Sequence, residues 1–300
     1  MVMKNLIIPC GGCCWLLAVL LLAQVSLSSA ASLWQVEGGT APVVLAGSVH
    51  LLRQQDRVPE VYEQIYRQSA VIVFEVEPHH LQQPEMQQLY VREGRCEPGK
   101  RIQDYLSAAT GALLEKRIRT ENALRGNANV AAVYRMKPWM AGMFLTLREL
   151  TRLGADPERG LDQVYFKQAR NDQKRTGSLE DAESHIRLLS GLTRQEQDVF
   201  LKYTLLSLDQ TESMYEKLLS AWQQGDEKFL AEWFRDSANE DAGIIEKVLL
   251  NRNRQWMEPL EQHLSGDEPV MVIVGVGHLV GAGSVVDLLK RRGYTIRQLK

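Results

Sequence analysis

The chain carries one short pattern twice: Ala46-Gly47-Ser48-Val49-His50 and Val274-Gly275-Val276-Gly277-His278, each a Gly-x-x-His placed directly after an apolar run. Histidine exchanges a proton near neutral pH and ligates divalent metals through a neutral ring nitrogen. Glycine ahead of it lets the backbone turn sharply and come close to a ligand. A third run, Val71-Ile72-Val73-Phe74-Glu75-Val76-Glu77, ends in two carboxylates before Pro78. Period-two alternation along a strand puts Glu75 and Glu77 on the face of Val71 and Val73, where a carboxylate is costly unless paired or ligated. Two imidazoles and a carboxylate on neighbouring strand ends predict a divalent-metal site, His50, Glu75 and His278, with open positions for water and substrate. A lone strand-end histidine is more often a hydrogen-bonded structural residue; the duplication together with the glutamate turns the reading towards a site.

A fourth candidate, Arg252, falls at i+4 from Val248 and i−4 from Trp256, on an apolar helix face also marked by Ile245, Leu249 and Leu260. An arginine turned inward needs a partner. Two roles are open to it: a structural ion pair with Glu75 or Glu77, or a donor in the crevice for a substrate carboxylate or developing oxyanion.

The elements that must position these groups alternate between strand and helix at both ends of the chain. Residues 33–37 and 42–46 read as short strands around Gly38-Gly39-Thr40, with Gly47 ending the second. A helix is expected from Pro59 through Ser69, followed by a strand over 71–77, and a strand–helix–strand unit of this kind has parallel strands and a right-handed crossover. Residues 270–274 form the continuous apolar run of a strand buried on both faces. Ser284 caps a helix through Arg292, Gly293 ends it, and 294–299 make a last strand. Between the ends, helical periodicity runs over 103–124, 130–153, 196–222, 227–237 and 242–263, interrupted by one short element at 174–180. The predicted fold class is α/β: a central, largely parallel sheet built from the N- and C-terminal segments, with a large helical insertion at about residues 82–265. In such sheets ligands gather outside the carboxyl ends of the strands, so both histidines should face one crevice.

Composition bounds the alternatives. Of 300 residues, 45% are hydrophobic and 24% charged, which excludes collagen-like and disordered classes. A formal net charge of −2 supplies no basic field for a phosphate backbone, so nucleic acid is not an expected partner. Residues 1–30, with Lys4 as the only charge, an apolar middle and the ending Ser28-Ser29-Ala30-Ala31, read as a secretory signal peptide that leaves a domain of residues 31–300. Pro9, Gly11 and Gly12 interrupt it, and a bilayer span needs ~20 apolar residues. The expectation is a secreted or periplasmic protein with no stable membrane span. Cys10, Cys13 and Cys14 leave with the leader, so only Cys96 remains and no internal disulfide can form. Gly275-x-Gly277 meets Val280 where a dinucleotide fingerprint needs its third glycine. Neither Gly-x-Ser-x-Gly nor His-Glu-x-x-His occurs, which disfavours serine hydrolases of the elbow type and zincins. Ser48 reads as a turn residue, His79 and His80 as loop decoration, and His185 and His263 as solvated.

Beyond these single features, a longer series of short motifs recurs in a characteristic order. Leu33-Trp34-Gln35-Val36 leads to Gly47-Ser48-Val49-His50, then to Phe74-Glu75-Val76-Glu77, Lys137-Pro138-Trp139, Gly160-Leu161-Asp162, Leu179-Glu180 and Trp222-Gln223-Gln224-Gly225-Asp226. Arg252-Asn253-Arg254-Gln255-Trp256 and Val274-Gly275-Val276-Gly277-His278-Leu279-Val280-Gly281 complete it. In this order and spacing the chain resembles the TraB/GumN family, which is related to the Tiki metalloproteases. The resemblance implies a fold like that of erythromycin esterases and ChaN-like proteins, with the two Gly-x-x-His motifs and a glutamate forming the active site. It implies a divalent metal, Mn²⁺ or Co²⁺ with Zn²⁺ also open, held by His50, Glu75 and His278, and a peptide or protein substrate. Glu75 would be a ligand or a general base, Glu77 would support it, and Arg252 matches the arginine of the family's helix motif. Ser48 stands where threonine is usual. Residues 174–178 are polar where a more apolar strand is usual, which weakens any role for Glu180. The expected function is a metal-dependent hydrolase of the peptidase type. The alternatives are a non-catalytic exported binding protein for peptide, iron or haem, and a metal-independent esterase using histidine and glutamate.

Overall fold

Strand-forming runs at the two ends of the chain, and one polar run from its middle, make a six-stranded sheet. The computed structural model describes residues 31–120, 127–238 and 242–299; the expected signal peptide, residues 1–30, and the end of the helix expected over 103–124 lie outside the described residues. The strands are β1 (Leu33–Glu37), β2 (Val43–Ser48), β3 (Leu52–Arg53), β4 (Val71–Phe74), β5 (Ala155–Asp156), β6 (Arg175–Ser178), β7 (Val270–Gly275) and β8 (Thr295–Gln298). The main sheet has the order β6-β4-β7-β2-β1-β8. Strands β6, β4, β7 and β2 are parallel, and β1 runs antiparallel to both β2 and β8. The mixed, largely parallel α/β sheet is as expected.

Two details of the sheet add to the sequence reading. Strands β2 and β4 are parallel, but they are not neighbours: β7 lies between them. Residues 270–274 of β7 are buried throughout, and a run with no polar alternation is at home only with a strand on each side and helices on both faces. The short element expected at 174–180 is the strand β6, which adds the edge beyond β4. Its polar composition suits an edge. Lys174, just before it, donates from Nζ to the carbonyls of Tyr66 (2.8 Å) and Arg67 (3.3 Å) and to that of Ser69. These carbonyls end the helix Glu60–Gln68, where a cation satisfies otherwise unpaired acceptors.

The sheet core is anchored by fully buried Trp34, Trp222 and Trp256 with Tyr62 and Tyr66. Tyr62 Oη and Trp222 Nε1 each donate to the Gly47 carbonyl at 2.7 Å, which fixes the end of β2 just ahead of His50. The insertion closes a second, smaller core around Ile102, Leu114, Ala141, Leu145, Leu201 and Leu205. Several expected helices are divided: Pro138 starts Pro138–Arg152 at the position proline tolerates, and residues 196–222 break into Arg194–Ser207 and Thr211–Gln224. Among the described residues, no helix is long and apolar enough to cross a membrane. Cys96 is a half-buried free thiol.

One glycine is needed for a close approach rather than for a turn. A Cβ on Gly160 would stand 2.2 Å from the His50 carbonyl oxygen, and Leu161 N donates to the Val49 carbonyl at 3.2 Å. Gly160→Ala must push the His50 segment away from the helix Leu161–Asn171. The expected cost is about 1–3 kcal/mol, the range for overpacking a tight contact. Urea unfolding of the variant checks it; an unchanged midpoint would contradict this packing.

Candidate active site

The register of β2 and β7 pairs Ser48 with Gly275, and that of β4 and β7 pairs Phe74 with Ile273. The three strands therefore end within two residues of one another, and the residues just beyond them meet. A Cβ on Gly275 would stand 3.3 Å from both Glu75 Oε1 and His50 Nε2, and 3.7 Å from His278 Cδ2. The space left by the absent side chain is what these three groups share. Gly275 N donates to Glu75 Oε1 at 2.7 Å, and His278 Nε2 lies 3.8 Å from the same oxygen.

Each histidine is oriented through its Nδ1. The segment after His50 pairs as β3 with β5, which brings the start of the helix Leu161–Asn171 alongside, and His50 Nδ1 donates to Asp162 Oδ1 at 3.2 Å. Asn253 Nδ2 donates to the Gly283 carbonyl at 2.9 Å, which turns Asn253 Oδ1 towards His278 Nδ1 at 2.5 Å. An amide oxygen only accepts, so His278 carries its proton on Nδ1 and presents the Nε2 lone pair to the crevice. Arg252 Nη1 donates to that lone pair at 2.9 Å.

Arg252 is the centre of the charge network and is 6% exposed. Its Nη2 donates to Glu75 Oε2 (2.5 Å) and Glu180 Oε1 (2.7 Å), its Nε to Glu180 Oε2 (3.0 Å), and its guanidinium lies over the Trp256 ring at 4.7 Å. Trp256 Nε1 also donates to Glu180 Oε2 at 3.1 Å. A turn of π-helix, Glu246–Leu250, precedes Asn251–Gln255 and resets the helix so that the consecutive residues Arg252 and Asn253 are both buried. π-Turns of this kind recur at functional sites.

The electrostatics follow from this arrangement. Burial drives the His278 pKa down to about 3; Glu75 opposes that shift and Arg252 adds to it, so the ring is neutral at pH 7. Burial would raise the Glu75 pKa, but the groups facing it, His278, Arg252 and His50, outweigh burial and hold it well below the carboxylate range. Of these, Arg252 keeps its charge at any working pH. Burial would likewise raise the Glu180 pKa, and hydrogen bonds from His185 and Arg252 bring it below its ordinary value. For His50, the charge and hydrogen bond of Asp162 raise the pKa above its ordinary value. The His50 side chain remains 54% accessible, so water reaches it from the crevice.

His50, Glu75, His278 and Arg252 are thus brought together, whereas Glu77 is not. Strand β4 stops at Phe74, so alternation no longer governs the residues after it, and Glu77 turns instead towards His79. The short strand also corrects the loop reading of His79 and His80, which lie in the helix Pro78–Leu81. His185 is not simply solvated: its Nδ1 is 2.7 Å from Glu180 Oε1 and its side chain lines the crevice. His263 is half-buried. Ser48 ends β2 and lines the crevice with a buried Oγ that has no hydrogen-bond partner. Sequence reasoning passed over Asp162 and Asn253 as orienting groups and discounted Glu180. The signal for Asp162 was its place behind Gly160-Leu161, in a helix's first turn.

The crevice has a volume of about 590 Å³. One end holds the His–Glu–Arg cluster; the rest is lined by apolar side chains including Met143, Leu150, Met214, Leu218, Trp233 and Phe234. The donor types suit a divalent ion: two imidazoles held at Nδ1 by oxygen acceptors, with a carboxylate beside them. His278 Nε2 and Glu75 Oε2 are engaged by Arg252, so an ion bound by all three groups requires that guanidinium to give up His278.

Fold and site together define an α/β protein with a histidine-, glutamate- and arginine-lined crevice at the carboxyl ends of parallel strands. The chain belongs to the TraB/PrgY/gumN family, whose family model matches residues 32–298. Comparison with curated proteins and with solved structures gives no match.

Proposed function

We infer that this protein is a metal-dependent hydrolase acting on peptide bonds, with His50, Glu75 and His278 as the residues that would hold the metal. The observation that carries the reading is the approach of Glu75 Oε1, His50 Nε2 and the edge of the His278 ring to the space beside Gly275, with both imidazoles held through Nδ1. Bound there, a divalent ion would polarise a carbonyl and make a water more acidic. The chain's own residues supply the rest. Asn253 and Asp162 fix the ring orientations, Arg252 would donate to a developing oxyanion, and Glu75 would ligate or accept a proton from water. The apolar walls would receive nonpolar parts of a substrate.

The test is metal analysis of the purified chain with peptidase assays on the wild type, His50→Ala and His278→Ala. Uptake of Mn²⁺, Co²⁺ or Zn²⁺ that falls by one equivalent with either substitution, together with metal-dependent cleavage that both remove, is the expected result. No uptake and no cleavage would end the proposal. Asp162→Asn, which leaves His50 with a weaker and ambiguous partner, is expected to lower metal affinity or turnover about 10–100-fold.

The contacts of Arg252 with His278 and Glu75 favour a second reading, acid–base hydrolysis without metal. In it His50, held by Asp162, carries the transferable proton and Glu75 accepts one from water. Cleavage that survives strong chelation selects this reading over the first.

A further inference from the structure

Glu77, His79 and His80 meet at the start of the helix Pro78–Leu81, and none of them lines the crevice. Each presents one ligand atom, and the three atoms all lie within 4.8 Å of one another. Glu77 Oε2 is 3.2 Å from His79 Nδ1, yet that nitrogen is buried and makes no hydrogen bond. A carboxylate and an imidazole nitrogen so close, without the alignment of a shared proton, stand as two ligands of one ion do. The edge of a tetrahedron with bonds of ~2.0–2.2 Å is about 3.3–3.6 Å.

The surroundings hold this geometry in place. The His79 ring stacks on Phe166, with centroids 5.2 Å apart and planes at 9°, and the His80 ring lies 4.1 Å from that of His79. Glu77 N donates to Ser178 Oγ at 3.0 Å, tying the carboxylate's backbone to the end of β6. A second cluster, Glu75, Glu180 and His185, also gathers three ligand atoms within 4.8 Å. There, Arg252 Nη2 touches all three residues, at 2.5, 2.7 and 3.4 Å, so that cluster already contains its cation. The ion partner of Glu77 among the described residues is His79, which carries no permanent charge.

We propose that Glu77, His79 and His80 form a binding site for a divalent transition metal, distinct from the crevice. Two imidazoles and one carboxylate suit Zn²⁺, Ni²⁺ or Cu²⁺ rather than Mg²⁺ or Ca²⁺, and three protein ligands leave a fourth position for water. The site would clamp the turn after β4 and, through Phe166, the helix that carries Asp162.

The test is calorimetric titration of the tag-free full chain bearing His50→Ala and His278→Ala with ZnCl₂, which removes the crevice histidines from the count. One bound equivalent is expected, lost when His79→Gln and His80→Gln are added. No uptake, or an equivalent that persists after those two changes, would overturn the proposal. In the same His50→Ala/His278→Ala chain, stoichiometric Zn²⁺ should slow diethylpyrocarbonate modification of His79 and His80 about tenfold, because a coordinated nitrogen has no lone pair left to react. Unchanged rates at both rings, mapped by peptide mass spectrometry, would also overturn it. Neither outcome bears on the crevice, which is judged by His50 and His278.

Discussion

Arg252→Met is expected to lower the unfolding free energy by about 3–5 kcal/mol at pH 7, the cost of leaving buried charges without their partner. Glu75 and Glu180 both accept from the guanidinium, and both are shielded from water. Methionine keeps much of the stem's volume against Trp256, so the loss reports on charge more than on packing. The pH dependence has a definite sign. Both carboxylates have folded pKa values below their ordinary range, so the folded state binds fewer protons than the unfolded state in that window. Their contribution is therefore present above about pH 4.3 and lost as pH falls through the depressed folded values. The variant lacks the cation that depresses them. The difference between wild type and variant should be widest at neutral pH and narrow below pH ~4. Urea unfolding at both pH values decides it: a difference under ~1 kcal/mol at pH 7, or one that does not narrow in acid, would mean that the network does not hold the fold in this way.

Glu75→Gln is expected to preserve the fold while removing about 10²–10⁴-fold of turnover, the range for loss of a positioned acid–base group. The glutamine carbonyl still accepts from Gly275 N, and Arg252 keeps its two hydrogen bonds to Glu180. What disappears is the negative charge beside His50 and His278, which both the metal-bound and the metal-free readings require. Circular dichroism and urea unfolding would show a folded protein. Activity within a few fold of wild type would remove Glu75 from the chemistry under either reading.

Much of this site is legible in the sequence, for a physical reason. An apolar run followed by Gly-x-x-His records burial, a sharp turn and a titratable ring in adjacent letters, and Glu75 stands out because a charge seldom ends such a run. Arg252 was visible as a charge on an apolar stripe. What escaped was chemistry that looks ordinary one residue at a time. Asp162 resembles any acidic residue in a helix's first turn. Asn253 lies next to Arg252 and belongs to no single helical face, and the π-turn that buries both leaves no mark in a periodicity built on 3.6 residues. Glu180 closes a polar edge strand that reads as surface. Glu77 was misplaced because alternation was carried three residues past the end of β4. The parallel direction of β2 and β4 followed from the helix between them, but no pattern within either strand encodes the arrival of β7 between the two.

That arrival also sets the order in which the molecule can be made. The strand that joins β2 to β4 comes from Val270–Gly275, near the end of the chain. A nascent polypeptide emerging from the ribosome holds β1, β2, β4 and β6 long before it holds their common neighbour, and the facing edges of β2 and β4 stay unpaired until then. Closing that gap joins residues about two hundred positions apart in sequence, a non-local contact of the kind that slows folding. The half-built sheet is a sticky template in the meantime. A chain cut short before residue 270 should therefore aggregate rather than fold into a smaller domain, and His278, just beyond β7, reaches its partners only once that strand has been placed.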